Sequence, residues 1–163
     1  MAGDIYWDSC AIISMLDQTD ERYEAILHLW EETAKASAKI ITSAISLTEV
    51  LNILNLGADK KSEELIIDWF DHPQVRLVAV ARHIALEAHK IIKNHGLSAL
   101  DSIQIASAIL SECEVIYTYD GSGKKKQKKI LSDSNKIGTP PLRIESPAFP
   151  APGPLFPSKT SPN

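Results

Sequence analysis

The sequence predicts an α/β domain built on a parallel sheet with helices on both faces. Short apolar runs rich in β-branched residues alternate with longer stretches of helical periodicity from end to end of the chain. Such runs suit strands covered on both sides. The stretch SALDSIQIASAIL, Ser98 to Leu110, carries Ile103, Ile105, Ala106, Ala108, Ile109 and Leu110 around most of its circumference, which marks a buried helix.

The elements follow in order. Ile5 to Trp7 is a short strand that turns at Asp8 into a helix with Ile12, Ile13 and Leu16 on its apolar face. Thr19 or Asp20 caps the next helix, where Tyr23, Ile26, Leu27, Trp30 and Ala34 recur at helical spacing. Ile40 to Thr42 is a second strand. SAISLTEVLNILNLG returns to helix, with Leu47, Val50, Leu51 and Leu54 inward and Gly57 as its stop. SEELIIDWF is another helix, ended by His72-Pro73. Val75 to Val80 is a third strand. A helix with Ile84, Ala88, Ile91 and Ile92 on one face runs to Gly96. The buried helix follows, then a strand from Val115 to Thr118 and a last one from Leu142 to Glu145.

At 163 residues the chain is one domain by length, with 44% hydrophobic and 23% charged residues. Eight of its nine prolines fall between Thr139 and Asn163. The expected division is therefore a folded domain over 1–147 and a Pro-rich flexible tail over 148–163. Cys10 and Cys113 fit no metal spacing and point to a reducing cytoplasm. No apolar run is long enough to span a membrane, so a soluble, cytoplasmic protein is expected, with no membrane partner. A net charge of −4 argues against general nucleic-acid binding. The run GKKKQKK is the local exception: Lys124, Lys125, Lys126, Lys128 and Lys129 are either a solvated loop or a contact to the phosphates of RNA.

Four acids occupy related places. Asp8 ends the first strand, and Asp120 lies just past the strand at Val115 to Thr118. Glu49 sits in the first turn of the helix after the second strand, and Asp101 opens the buried helix. In a parallel sheet the carboxyl ends of the strands are where ligands bind. Each acid alone has a local explanation. Ser46 to Glu49 and Ser98 to Asp101 read as capping boxes, Asp8 as an N-cap, and Asp120-Gly121 as an Asx-turn. Together they need more. Two carboxylates about 4 Å apart repel by about 4 kcal/mol at an effective dielectric of 20, so a cluster calls for a cation or raised pKa values. An all-oxygen donor set selects Mg²⁺ or Mn²⁺, and such ions promote phosphodiester hydrolysis.

The segments WDSCAIISML, TSAISLTEVLN, NHGLSALDSIQIASAIL and TYDGSG resemble the PIN domain, as found in toxins of the virulence-associated protein C (VapC) type. The likeness runs from about Asp4 to Pro147. It implies a three-layer α/β/α sandwich with a central parallel sheet of about five strands. It implies a Mg²⁺- or Mn²⁺-dependent endoribonuclease acting on single-stranded RNA, the toxin of a type II toxin–antitoxin pair and a homodimer. Carried over residue by residue, Asp8, Glu49, Asp101 and Asp120 form the acidic catalytic pocket. Asp8 and Asp101 are the leading metal ligands, and Ser9 and Thr118 support the acids. An antitoxin protein would cover the pocket, with an Arg directed at Asp8 and Asp101. Ser102 departs from the family's usual alanine, and neither the lysine run nor the tail is a general family feature. The alternative reading is a catalytically silent PIN-like module that binds RNA or protein.

Other sites read as structural. His28, His72, His83, His89 and His95 lack the i, i+4 spacing of a helical metal pair. Cys10 stands where a haloacid-dehalogenase-like phosphatase carries its second Asp. Trp7 belongs in the core; Trp30 and Trp69 suit a core or dimer contact better than a base-stacking platform. Leu54, Ile66, Trp69 and Phe70 are expected to leave apolar helix surface for self-association.

Overall fold

The structure, a computed structural model, describes residues 3–18, 20–54, 60–120 and 130–148. The lysine run, the Gly57 stop, the Thr19 cap and tail residues 149–163 lie outside the described residues. The elements are β1 (Ile5–Trp7), α1 (Ser9–Leu16), α2 (Tyr23–Lys35), β2 (Ile40–Ser43), α3 (Ala44–Leu54), α4 (Lys60–Phe70), β3 (Val75–Val78), α5 (Arg82–His95), α6 (Ala99–Leu110), β4 (Val115–Tyr117), a 3₁₀ turn (Ile130–Asp133) and β5 (Arg143–Glu145).

The five strands form one sheet in the order β3-β2-β1-β4-β5, and every pairing is parallel. The sheet is the centre of an α/β/α sandwich. Side chains alternate along each strand, so neighbouring residues enter different cores. Tyr6, Ile41, Ile116 and Ile144 pack with Ile84, Ala88 and Ile91 of α5 and Ile105 and Ala108 of α6. Trp7 and Ile40 face the other way, against Ile12, Ile26, Val50, Ile66 and Phe70 of α1 to α4. The three tryptophans meet in this second core: Trp7 lies 6.1 Å from Trp30 and 6.0 Å from Trp69, and Trp30 and Trp69 are 5.8 Å apart.

Several boundaries differ from the sequence reading, each for a physical reason. β3 stops at Val78 because its partner β2 ends at Ser43, the residue opposite. α3 follows β2 with no loop, so Ser46 lies inside the helix rather than capping it, and Glu49 falls in its second turn rather than its first. α2 begins at Tyr23 without a side-chain cap; Asp20 instead accepts from the Arg22 amide at 2.8 Å and the Ser14 hydroxyl at 2.9 Å. Gly96 does end α5, in the left-handed conformation (φ 67°) that glycine adopts without strain. Ile66 and Phe70 are buried against their own sheet rather than left for a second copy. The apolar residues that α3 and α4 do expose are Ile53, Leu65 and Ile67. Among the described residues, no helix is long and apolar enough to cross a membrane.

Candidate active site

The chain runs outward from β1 to β2 and β3, then crosses back to β4 and β5. Strand order thus reverses between β1 and β4. At such a switch point the loops leaving two neighbouring strands diverge and open a crevice. A cleft of about 290 Å³ lies here, lined by Asp8, Ser9, Cys10, Arg22, Glu49, Leu100, Asp101, Gln104, Tyr119 and Asp120. All four acids singled out by the sequence line it.

Asp8 leaves β1 and caps α1. Its carboxylate is buried, and both oxygens accept hydrogen bonds. Oδ1 accepts from the Ser9 amide at 2.6 Å and the Ser9 hydroxyl at 3.2 Å. Oδ2 accepts from the Thr118 hydroxyl at 2.7 Å and the Cys10 thiol at 3.2 Å. Thr118 in turn accepts from the Asp120 amide at 3.0 Å, which ties the loop after β4 to the end of β1. Burial, and then the Asp8 charge, push the Cys10 thiol up, so it stays protonated.

Asp101 stands in the first turn of α6. Ser98 caps that helix: its hydroxyl accepts from the Asp101 amide at 3.1 Å and donates to Asp101 Oδ2 at 2.7 Å. Glu49 reaches the cleft from α3, where its Oε2 accepts from Gln104 Nε2 at 3.1 Å.

The electrostatics couple these groups. Burial raises the Glu49 carboxyl above its ordinary range; Asp8 and Asp101 add to the rise, against hydrogen bonds from Ser9 and Gln104. Burial also raises Asp101; the Ser98 hydrogen bond opposes this, and Asp120 and Asp8 add to it. Glu49 and Asp101 are therefore the two carboxyls that burial and the crowding of acids in this cleft push up. Among the described residues, no three His, Cys, Asp or Glu side chains stand close enough together to grip an ion as they are. The oxygen donors that line the cleft are of the kind a hard cation takes.

Five lining residues were not anticipated as site residues: Cys10, Arg22, Leu100, Gln104 and Tyr119. Cys10 is fixed between Asp8 and Thr118, its sulfur 3.1 Å from Thr118 Oγ1 and accepting from the Tyr119 amide at 3.2 Å. Among the described residues, Arg22 is the one basic residue lining the cleft, its guanidinium 4.6 Å from the centre of the Tyr119 ring. Nothing in the sequence around it signals that place. Gln104 carried a signal: it is a lone long amide in an apolar helix, three residues after Asp101 and so on the same face. No description of the five lysines is possible, since they lie outside the described residues.

Comparison with known proteins agrees with this fold. The PIN domain family model matches residues 5–130. No curated protein matches the chain significantly in sequence. Among solved structures, VapC20 of Mycobacterium tuberculosis, described as a toxin that cleaves the sarcin–ricin loop, has a TM-score of 0.61 at 20% identity, over 73% of this chain and 92% of that one. VapBC2 of Rickettsia felis, bound to a promoter DNA fragment, gives 0.60 at 16% identity, over 87% and 98%. The DNA-bound VapBC of Salmonella typhimurium gives 0.59 at 15%, over 91% and 100%. At these identities the structural likeness speaks for the fold.

Proposed function

The chain belongs to the PIN domain family, and from that premise we propose that it is a Mg²⁺- or Mn²⁺-dependent endoribonuclease that hydrolyses single-stranded RNA. The observation that supports this most is the gathering of Asp8, Glu49, Asp101 and Asp120, from four separate parts of the chain, around one cleft at the β1/β4 switch point.

Asp8 and Asp101 would hold the ion, with Glu49 and Asp120 completing the site directly or through water. When bound, the metal supplies a polarised phosphoryl oxygen and a water of lowered pKa. The chain's own residues do the rest. Ser9 and Thr118 fix both oxygens of Asp8, so its orientation is set before substrate arrives. Arg22 offers a cation to a phosphate oxygen in a cleft that four acids also line. Glu49, with its carboxyl raised, takes the proton of the attacking water. Water oxygen bonds to phosphorus as the bond to the leaving 3′ oxygen breaks, and that oxygen takes a proton from solvent water, giving a 5′-phosphate and a 3′-hydroxyl. Leu100, exposed beside Asp101 on the rim, gives a base an apolar surface.

The biological setting is proposed on the same basis. The solved VapBC relatives pair a PIN-like chain with a second protein, and this chain acts as the toxin of such a pair in the cytoplasm. Its antitoxin places an Arg against Asp8 and Asp101. Self-association as a homodimer uses the apolar residues exposed on α3 and α4. The lysines from Lys124 onward contact RNA phosphates; Lys124 is four residues past Asp120, a span of at most about 14 Å.

The test is cleavage of a mixed RNA pool with Mn²⁺, with end-group analysis of the products. Cleavage to 5′-phosphate ends, abolished by Asp8→Asn and by Asp101→Asn, supports the assignment. Absence of both cleavage and a thermal response to Mn²⁺ in pure, folded protein would leave the reading as a silent binding module instead.

A further inference from the structure

Gln104 is 1% exposed and sits where both cores and the cleft meet. Its amide bridges four elements. Oε1 accepts from the Tyr6 hydroxyl of β1, from Ser43 Oγ at the end of β2 at 3.2 Å, and from Ser46 Oγ of α3 at 3.2 Å. Nε2 donates to Ser46 Oγ at 3.0 Å and to Glu49 Oε2 at 3.1 Å. The orientation is dictated by chemistry. An ionised carboxylate can only accept, so the amide nitrogen must face Glu49 and the oxygen is left for the hydroxyls. The hydroxyls sit on two neighbouring strands of the sheet and the first turn of α3, and all three residues are fully buried. Their grip on Oε1 therefore fixes where Nε2 points, and Nε2 fixes one oxygen of Glu49.

We infer that Gln104 is a positioning residue, which carries the rigidity of the sheet through Tyr6, Ser43 and Ser46 to Glu49 and holds that carboxylate for the metal and the attacking water. This rests on the proposed metal-dependent hydrolysis and adds to it a residue outside the acidic set. A buried amide serving only to fill space would have no reason to act through Glu49 in particular. That difference is what the experiment reads.

The experiment is a double-mutant cycle of Gln104→Met and Glu49→Ala, read first as Mn²⁺ affinity by electron paramagnetic resonance and second as RNA cleavage rate at saturating Mn²⁺. Melting curves check that each variant folds. Gln104→Met is expected to weaken Mn²⁺ binding or cleavage by about 10- to 100-fold, the usual effect of removing a group that orients a metal ligand. In the Glu49→Ala background the same change is expected to have almost no further effect, because the group it acts through is gone. Equal losses in both backgrounds, or wild-type affinity and rate in Gln104→Met, would overturn the inference while leaving the nuclease assignment standing. Failure of the wild type itself to bind Mn²⁺ or cleave RNA would instead sink the metal-dependent reading, and this inference with it. Should Gln104→Met not fold, Gln104→Leu replaces it in the cycle: it fills much of the same space and adds neither a charge nor a donor beside Glu49. The same dependence on Glu49 is then expected, and its absence has the same force.

Discussion

The Thr118 hydroxyl donates to Asp8 Oδ2 at 2.7 Å, joining two residues 110 positions apart. This bond crosses the gap between β1 and β4 at the point where the cleft opens. Thr118→Val removes the donor while keeping the shape. It is expected to weaken Mn²⁺ binding and cleavage by about 10- to 100-fold, and to lower stability by about 1.5–3 kcal/mol, as for a hydrogen bond to a charged group. Mn²⁺ titration and urea unfolding of the same preparation check both.

Ser98 has two roles at once, capping α6 and orienting Asp101. Ser98→Ala is expected to cost about 1 kcal/mol through the lost cap, measured by urea unfolding. It also removes a hydrogen bond that holds the Asp101 carboxyl down against burial, so the pH at which Mn²⁺ binds half-maximally is expected to rise.

The raised carboxyls of Glu49 and Asp101 imply a particular pH dependence. A carboxyl that holds its proton more tightly when folded makes folding less favourable once it must ionise. The penalty is absent below the ordinary values of 4.5 for Glu49 and 3.8 for Asp101, where folded and unfolded forms are both protonated. It is complete above their raised folded values. Without divalent metal, wild-type protein is therefore expected to lose less stability on acidification from pH 7 toward 4 than Glu49→Gln/Asp101→Asn, which lacks the penalty. With saturating Mn²⁺, which needs both groups ionised, acidification is expected to lower the wild-type melting temperature more steeply. Calorimetric scans across that range with and without Mn²⁺ give the comparison.

Trp7, Trp30 and Trp69 form one aromatic cluster beneath the sheet. Trp7→Ala is expected to cost about 3–5 kcal/mol in urea unfolding, as for other large aromatic truncations. Trp69→Ala, on a helix that contributes nothing to the cleft lining, is expected to lower stability and leave RNA affinity unchanged. A loss of affinity with stability intact would restore the role of a stacking platform.

Much of this was legible in the sequence because it rests on local pattern. Apolar runs such as Ile40–Ile41 and Val115–Ile116 marked their strands, and Gly96 its helix end. Asp8, Asp101 and Asp120 were legible because each stands beside an element boundary, and boundaries on one edge of a parallel sheet lie near one another; Glu49 lies one turn further into α3 and still lines the same cleft. Where the reading slipped, distant contacts decided. Ser46 looked like a cap, yet the absence of any loop between β2 and α3 put it inside the helix, bonded to Gln104 on α6. Ile66 and Phe70 looked like exposed helix surface until the inner face of α4 was set against the sheet. Arg22 entered the cleft through its stacking on Tyr119, 97 residues on in the sequence, a contact no local pattern encodes.

The central claim is that the β1/β4 cleft is built to hold a divalent ion. Crystals soaked in Mn²⁺ and measured at the manganese absorption edge test it directly. The expected result is an anomalous peak at about 2.1–2.3 Å from carboxylate oxygens of Asp8 and Asp101, the range between Mg²⁺ and Ca²⁺ distances, lost in Asp8→Asn. A cleft without a peak at Mn²⁺ concentrations that support cleavage, or a peak bound elsewhere on the molecule, would contradict it.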